Sequence, residues 1–343
     1  MKLFLLKSSL TPSYLNRGIE LVWEYTISMF KIRTTRLKDF ERLSSIFKDN
    51  SLIDILKKNK LAALAQPFIP YSLRTIPSIH LAIEDEHILG FIILKSYSKP
   101  NNSWQIDEIL VDDQIRMEGV GEELLRYVIS VYGSYGIEHF LAEIDSENFA
   151  ALGLFHQCGF RRCAKVYLYE KEIKKNEELN KISDKDFIVK PQTKNDIQEI
   201  EKLELSTIPP DLRTILGRSK NYFKEQKDCF VLIDKSRNIT IGWFQIQQIK
   251  ENHFYVEPLI SPGWTHLYEM LLNIILCQCI KKEEDFKLTV KVVDYITELS
   301  SILGKLGFLP VQAKELLVKT IWQRVKERKE KKAKLGVPFT APT

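Results

Sequence analysis

A loop with phosphate-binding character lies in the first half of the chain. The segment from Ile106 to Val111, with four aliphatic residues around two acidic ones, predicts a strand, and soon after it comes the segment Arg116-Met117-Glu118-Gly119-Val120-Gly121. From Val120 onward apolar residues recur at helical spacing, which predicts that a helix begins there. Backbone N–H groups at a helix N-terminus attract anions, and glycine lets a phosphate approach the backbone closely. The segment is not a Walker loop, because no Gly-Lys-Ser/Thr follows, and it lacks the third glycine of the dinucleotide fingerprint.

A second patterned block follows a predicted strand at residues 140–144. It has the sequence Asn148-Phe149-Ala150-Ala151-Leu152-Gly153-Leu154-Phe155-His156-Gln157-Cys158-Gly159-Phe160. In this order, the two blocks resemble the Arg/Gln-x-x-Gly-x-Gly/Ala loop and the Asn-x-x-Ala-x-x-Leu-Tyr-x-x-x-Gly-Phe helix of the GNAT superfamily of N-acetyltransferases. The resemblance covers residues 31–172 strongly and implies acetyl-CoA as the co-substrate, with no metal.

The resemblance also implies how the cofactor is held. The loop would carry the coenzyme A pyrophosphate, and the fourth strand would pair with the pantetheine amides through its main chain. A backbone N–H of Leu110 or Val111 would polarise the acetyl carbonyl. The residues implied for cofactor binding are Leu110, Val111, Arg116, Met117, Glu118, Gly119, Val120, Gly121, Glu122, Asn148 and Phe155.

Two carboxylates are candidates for the catalytic base. An amine is mostly protonated at neutral pH, with an ordinary pKa of about 8 for an α-amino group and about 10 for lysine, so a base must remove that proton before attack. Glu143 lies near the end of the fifth strand, where ribosomal-protein-type members of the family carry a catalytic glutamate. Glu108 lies on the fourth strand, where other members carry theirs. Either can act directly or through a water, and an exposed strand charge is the alternative role for each.

One departure from the family pattern concerns the leaving group. The family tyrosine that can protonate the departing thiolate is Phe155 here, which preserves packing but has no proton to give. A thiol with an ordinary pKa of about 8.5 is a tolerable leaving group without help. Tyr167 and Tyr169 on the following strand are candidate substitutes, although core packing is the commoner use of such residues.

Hydrophobic periodicity predicts the elements that position these residues. The predicted elements are strands at 31–35, 103–111, 140–145 and 164–171, a hairpin of 80–84 and 87–97, helices at 39–47 and 120–135, and a helix with a proline-containing loop within 50–75. In the family the last of these regions faces the acceptor.

The plan repeats after a charged linker. Ile32 to Phe40 aligns without a gap on Val189 to Ile197, and Gly159-Phe160 finds a counterpart in Gly307-Phe308. We therefore predict an α/β fold of two tandem GNAT-like domains, each a mostly antiparallel twisted sheet flanked by helices. The predicted boundaries are an N-terminal extension at 1–28, the acetyltransferase domain at 29–173, a linker at 174–186, a degenerate copy at 187–323 and a basic tail at 324–343.

The second copy lacks the residues of the first. The segment from Glu257 to Trp264 has no arginine and one glycine, and Pro262 removes a backbone donor where donors are needed. Ile296 replaces the helix asparagine, and Leu303 stands at the family tyrosine position. We expect a structural or substrate-gripping half, with a second cofactor site of altered geometry as the alternative.

Composition restricts the remaining classes. The segment from Arg324 to Lys334 has seven basic and two acidic residues, an excess equal to the net charge of +5 of the whole chain. We interpret this segment as a solvated tail and expect no nucleic-acid partner. Five cysteines form no metal pattern with the six histidines, which favours reduced thiols in a cytoplasm. We expect no membrane span and no signal peptide, and Met29 is an alternative start.

Three functions fit the sequence. The leading one is an acetyl-CoA-dependent N-acetyltransferase acting on a small-molecule or protein amine, whose second half shapes the acceptor site or forms a homodimer. The second is a non-catalytic acyl-CoA-binding regulator, in line with Phe155 and the degenerate half. The third is a tRNA-dependent aminoacyl transferase, which the intact segment from Arg116 to Gly121 disfavours because such a donor needs no coenzyme A site.

Overall fold

The computed structural model describes residues 10–12, 23–26, 30–36, 39, 42–43, 77–98, 102–112, 118–174, 186–283 and 285–321. Several predictions concern residues outside these ranges. They are most of the helix at 39–47, the acceptor-facing region at 50–75, the loop residues Arg116 and Met117, most of the linker, and the basic tail.

The described chain forms strands and helices close to the predicted bounds. The strands are β1 (Leu10–Pro12), β2 (Trp23–Thr26), β3 (Lys31–Thr34), β4 (Ser78–Glu84), β5 (His87–Ser98), β6 (Ser103–Val111), β7 (His139–Asp145), β8 (Arg161–Ile173), β9 (Phe187–Pro191), β10 (Cys229–Asp234), β11 (Ile239–Lys250), β12 (His253–Ile260), β13 (Phe286–Val293) and β14 (Leu309–Thr320). The helices are α1 (Val120–Ser134), α2 (Phe149–Gln157), α3 (Ile197–Thr207), α4 (Arg213–Leu216), α5 (Lys220–Glu225), α6 (Tyr268–Ile280) and α7 (Thr297–Lys305), with a 3-10 helix at Pro262–Leu267. The hairpin between β4 and β5 turns at Asp85 and Glu86, which both have positive φ (41° and 76°), as a type I′ turn requires.

All the strands belong to one 14-stranded sheet in the order β1-β2-β3-β4-β5-β6-β7-β14-β8-β13-β12-β11-β10-β9. Its neighbours are antiparallel except for two parallel pairs, β6 with β7 and β12 with β13. The prediction of a mixed α/β fold with mostly antiparallel strands is therefore confirmed. The two copies differ from the prediction in sharing one sheet, and β1 and β2 of the N-terminal extension lengthen its edge.

The last strands of the two copies are exchanged. β14, from the end of the chain, pairs with β7 of the first copy, with Leu316 opposite Glu143. β8, from the first copy, pairs with β13 of the second copy on one side and with β14 on the other. A division of the chain near residue 174 therefore does not divide the sheet, because each half is completed by a strand of the other.

Two large hydrophobic cores pack against the helices of the two copies. In the first, Leu124 and Val128 of α1 pack with Phe140 of β7 and Leu317 of the exchanged β14. In the second, α6 and α7 pack on β11 to β13. A smaller cluster lies around the junction, with Leu141 and Leu316 among its members. Since Leu141 and Phe140 are neighbours on β7, this cluster occupies the opposite face from α1.

Candidate active site

The N-terminus of α1 is built as the sequence predicts for an anion site. Gly119 precedes the helix with φ 85°, a left-handed conformation that favours glycine, and no side chain caps the helix. A Cβ on Gly119 would meet no atom of the described residues within 4 Å, so these residues leave space beside the backbone. A Cβ on Gly121 would instead lie 3.1 Å from Leu154 Cδ2, so Gly121 allows α1 and α2 to pack closely.

Acidic residues surround this helix terminus. Glu118 is exposed, and Glu122 accepts hydrogen bonds from Arg126 Nη2 at 2.6 Å and Nε at 2.9 Å. This pair directs the Glu122 carboxylate along the helix toward its next turn, which lessens its opposition to an anion at the N-terminus. The two backbone positions that begin the helix, Val120 and Gly121, remain the candidates for anion contact.

Two parallel strand pairs separate at equivalent places in the two copies. The last paired residues of β6 and β7 are Ile106 and Ala142, and those of β12 and β13 are Val256 and Val290. Asp107 and Glu143 are the next residues of the first pair. The strands diverge beyond these points, which opens a cleft between them in each copy.

The cleft of the first copy has a β-bulge that the second lacks. Two consecutive residues of β5 pair with Ile106 and Glu108 of β6. Asp107 is therefore an extra residue of β6 that has no partner in the ladder. The equivalent part of β12 pairs with β11 in continuous register. Ile106 and Ile109 both pack toward the α1 core, so the bulge turns Asp107 and Glu108 toward the opposite face, which also carries Glu143.

The predicted cofactor strand follows the bulge directly. Leu110 and Val111 lie opposite Phe91 and Gly90 of β5, and their other edge faces the cleft because β7 has diverged. A Cβ on Gly90 would lie 2.6 Å from the Leu110 carbonyl oxygen, so only glycine permits this approach of β5 to β6.

Glu143 contacts a lysine of the second copy. Lys291 Nζ donates a hydrogen bond to Glu143 Oε1 at 2.8 Å and lies 3.5 Å from Glu257 Oε1. Arg218 donates to Glu257 Oε2 at 2.7 Å and also bonds the buried Glu204 carboxylate. A chain of alternating charges therefore runs from the first copy into the second.

This network shifts the pKa values of its members. Burial acts against the charged form of Lys291, but the carboxylates of Glu257 and Glu143 outweigh it and raise the pKa of that lysine well above its ordinary value. Burial would raise the pKa of Glu257, yet Lys291 and Arg218 lower it to about 2. Burial raises the pKa of Glu204, and Arg218 offsets part of that rise. Lys291 and Glu257 are therefore charged at neutral pH.

Asp107 is a third carboxylate at the cleft and was missed by sequence reasoning. Its side chain is 8% exposed and pairs with Lys95 Nζ at 2.9 Å. Burial raises the pKa of Asp107, Lys95 lowers it, and the Glu143 carboxylate adds to the rise. The missed signal was a length difference: Val111 lies five positions after Ile106, whereas the equivalent Ile260 lies four positions after Val256.

Four further sequence candidates have structural surroundings that the structure shows. Asn148 caps α2 by accepting a hydrogen bond from the Ala151 backbone N–H at 3.0 Å. Phe155 is fully buried and packs edge-on against Phe160, with 4.9 Å between ring centroids. Tyr169 packs against the core of the second copy, and the ring centroids of Tyr167 and Tyr169 are 6.5 Å apart. The suggestion that these tyrosines replace the family tyrosine gains no support, because strand exchange places β8 against β13.

The second copy has no counterpart of the open helix terminus. Its 3-10 helix runs directly into α6, and the Tyr268 backbone N–H bonds the Thr265 carbonyl oxygen. No side chain caps α7 at Ile296, and Leu303 is fully buried.

Two kinds of site are not found in the described part of the chain. No group of three or more His, Cys, Asp or Glu side chains within it could hold a metal ion. None of its helices is long and apolar enough to cross a membrane.

Comparisons with known proteins agree with this architecture. Residues 44–160 match the model of the Acetyltransferase (GNAT) family. A GCN5-related N-acetyltransferase from Sphaerobacter thermophilus is 12% identical with a TM-score of 0.57, covering 87% of this chain and 98% of its own. A tandem GNAT protein from the clavulanic acid biosynthesis pathway is 10% identical with a TM-score of 0.57, covering 85% and 98%. No curated protein matches by sequence. The chain thus carries a GNAT acetyltransferase domain within a fold that it shares with tandem GNAT proteins.

Proposed function

We propose that the protein is an acetyl-CoA-dependent N-acetyltransferase that uses only its first copy for chemistry. The carrying observation is the contrast between the two clefts. The first cleft has a bulged strand and an open helix N-terminus after Gly119. The carboxylates of Asp107, Glu108 and Glu143 lie at the bulge and at the facing end of β7. The second has a continuous strand and a 3-10 helix occupying its helix terminus.

In this proposal the α1 terminus and β6 bind the co-substrate. Acetyl-CoA supplies a thioester, whose acyl carbon accepts the amine. The open space at Gly119 fits a pyrophosphate close to the backbone, and the N–H groups of Val120 and Gly121 are oriented by the helix. The main-chain edge of Leu110 and Val111 would pair with the pantetheine amides and polarise the acyl carbonyl.

Glu143 is our first choice for the proton acceptor, with Glu108 kept as the second sequence candidate. The ammonium loses one proton to the carboxylate, its nitrogen forms the bond to the acyl carbon, and the carbon–sulfur bond breaks. The nitrogen then loses its second proton, which water can carry to the departing thiolate. Asp107 is the added candidate, because its raised pKa suits proton transfer better than that of an exposed carboxylate. Phe155 offers no proton to the sulfur, so the thiolate leaves unaided or with a water.

The second copy would serve as part of the acceptor site. Lys291 contacts Glu143 at the base of the first cleft, and Glu257 lies against Lys291, which supports a substrate-gripping role for this half. We propose a reducing cytoplasm for the protein, because the five described cysteines are all unpaired. A homodimer is compatible with this arrangement and is not required by it.

A non-catalytic acyl-CoA-binding regulator remains the second candidate. It is favoured by the fully buried Phe155 and by the ion pair that engages Glu143. The experiment that separates the two measures thiol release from acetyl-CoA with a panel of primary amines, alongside calorimetric binding of acetyl-CoA. The enzyme requires amine-dependent thiol release, whereas tight binding without release with any amine supports the regulator.

A further inference from the structure

A cavity of about 80 Å³ lies where the two copies meet. Tyr97 of β5 and Glu143 of β7 contribute to it from the first copy, and Leu316 from the exchanged β14. Most of the remaining walls come from the second copy, from α3, β12, β13 and the segment that includes Arg218. The first-copy base candidate therefore faces a chamber built largely by the second copy.

The charged groups in the walls are nearly all paired with one another. Arg218 bonds Glu204 and Glu257, and Lys291 bonds Glu143 and contacts Glu257. The Arg218 backbone N–H donates to one oxygen of Glu204 and its guanidinium Nε–H to the other, a charge-assisted arrangement that favours the ionised carboxylate. The walls thus hold three carboxylates and two cations, and each cation is already engaged by two carboxylates.

Glu143 can accept a further hydrogen bond from a ligand. Lys291 engages its Oε1, and no described residue bonds its Oε2. The surplus negative charge of the cavity is one unit, and Asp107 on the neighbouring bulge has its own partner in Lys95. A ligand that enters this cavity meets an available carboxylate oxygen and finds no unpaired cation among the described wall residues.

We propose that this cavity is the acceptor site, that it takes a small primary amine bearing no carboxylate, and that Lys291 positions Glu143 to receive that amine. This inference rests on the proposed acetyltransferase function and gives the chemical class of its substrate. The ammonium group would bind Glu143 Oε2, and the hydroxyls of Tyr97 and Tyr295 would offer further acceptors.

The charge pattern excludes an acidic acceptor for a physical reason. A substrate carboxylate inside the cavity would need a cation, and taking one from Glu257 or Glu204 would leave a buried carboxylate uncompensated. A protonated amine has the opposite sign and balances the surplus charge. Primary amines with a pKa of about 10 reach the site as cations and must lose a proton there before they react.

Lys291 would act by fixing Glu143 rather than by touching the substrate. One oxygen of the carboxylate is held by the Lys291 hydrogen bond, which leaves the other available to a ligand in the cavity that Glu143 lines. The other titratable groups interacting with Glu143 are Asp107, Tyr97, Tyr255 and, through Lys291, Glu257. Loss of the lysine removes the cation that contacts Glu143 among the described residues and leaves acidic groups as neighbours, which disfavours the charged form of a carboxylate at this place.

The substrate class is tested with matched acceptors on the full chain. Butylamine, 1,4-diaminobutane and 4-aminobutanoate share their chain length and differ at the far end. We expect kcat/KM for thiol release to be at least tenfold higher with either amine than with 4-aminobutanoate, and calorimetry with coenzyme A present to rank their affinities in the same order. Equal or better use of 4-aminobutanoate would overturn the assignment.

The positioning role is tested with Lys291→Gln, Lys291→Arg and the control Lys287→Gln. Lys287 lies on the same strand and pairs with Glu170, so its loss costs an ion pair away from the cavity. For Lys291→Gln we expect kcat to fall at least tenfold and the acidic limb of the pH–rate profile to move to higher pH. Arginine should restore most of the rate, and Lys287→Gln should leave the profile in place.

The outcomes separate this inference from the function on which it rests. If wild type releases no thiol with any amine, the acetyltransferase proposal fails, and preferential binding of the amines by calorimetry alone would still support the cavity assignment. If wild type is active but the pH profile of Lys291→Gln matches that of Lys287→Gln, the positioning role fails while the enzyme assignment stands.

Discussion

Glu143 and Lys291 occupy equivalent positions in the two copies and bond each other at 2.8 Å. Glu143 follows Ala142, which pairs with Ile106 at the end of the parallel ladder of β6 and β7. Lys291 follows Val290, which pairs with Val256 at the end of the ladder of β12 and β13. The bases of the two clefts therefore meet, although β14 and β8 lie between their strands in the sheet. This contact links a catalytic candidate of one copy to the copy that lacks a recognisable cofactor site.

Gly119→Ala should weaken acetyl-CoA binding at least tenfold. A side chain at φ 85° strains the backbone by about 1–2 kcal/mol and occupies the space beside the helix N-terminus. Gly136→Ala is the matched control, because Gly136 has φ 94° and an equally open Cβ position beyond the other end of α1. Calorimetry should show a loss of affinity only for Gly119→Ala, and equal losses for both would point to strain alone.

Acetyl-CoA should bind at one site per chain. The 3-10 helix runs directly into α6, and its Thr265 carbonyl oxygen already accepts a hydrogen bond from the Tyr268 backbone N–H at the start of α6. Titration of the full chain should give a stoichiometry near one, and replacing Arg116 with Glu should remove that binding. A saturable site that persists in the Arg116→Glu variant would place cofactor in the second copy.

Separated copies should not fold independently. The core of the first copy includes Leu317 of β14, and the second copy pairs with β8 along eight residues from Val166 to Ile173. Cleavage at a protease site inserted near residue 180 should leave both fragments associated through gel filtration. Fragments made alone should lack cooperative unfolding and regain it when mixed; stable, cooperative unfolding of either fragment alone would argue against the exchange.

Glu257→Gln should destabilise the protein in a pH-dependent way. Breaking a fully buried charge pair costs about 3–5 kcal/mol. Glu257 is part-buried, so we expect a smaller loss, to which both Arg218 and Lys291 contribute because each loses a partner. The folded pKa of about 2 lies below the ordinary 4.5, so this stabilisation is present above pH 4.5 and is lost as pH falls toward 2.

The measurement for Glu257 is chemical denaturation of wild type and variant between pH 3 and pH 7. The difference in unfolding free energy should be large at pH 7 and shrink at the acidic end. Glu199→Gln, which removes an exposed helical pair with Lys202, should cost much less. If Glu257→Gln lowers the free energy of unfolding equally at pH 3 and at pH 7, the charge of Glu257 does not stabilise the fold.

The sequence was sufficient for elements with strong local signals. The bounds of β6, the start of α1 at Val120 and the hairpin at Asp85 agree with prediction because periodicity and turn chemistry act locally. The internal repeat also predicted the tandem fold. Its landmarks Gly159 and Gly307 have the same role in the two copies, because each follows the end of a helix at positive φ.

The junction could not be predicted in the same way. The exchanged strands β8 and β14 are long and similarly patterned, so sequence alone does not choose which copy each completes. Arg218, Glu257 and Lys291 meet Glu143 only because of that long-range pairing. A weak signal was present, since Glu257 and Lys291 are charged residues that each follow a buried valine at equivalent places of β12 and β13.

The most direct test of the central claim compares amine-dependent thiol release by wild type, Glu143→Gln, Asp107→Asn and Glu108→Gln at matched acetyl-CoA affinity. Glutamine and asparagine keep the shape of the side chain and lose the proton acceptor, and a positioned base contributes about 100- to 10,000-fold. We predict that kcat falls by at least 100-fold for Glu143→Gln while acetyl-CoA binding changes less than threefold. Full activity of Glu143→Gln would contradict the assignment of the base, and absence of thiol release from wild type with every amine would contradict the enzyme itself.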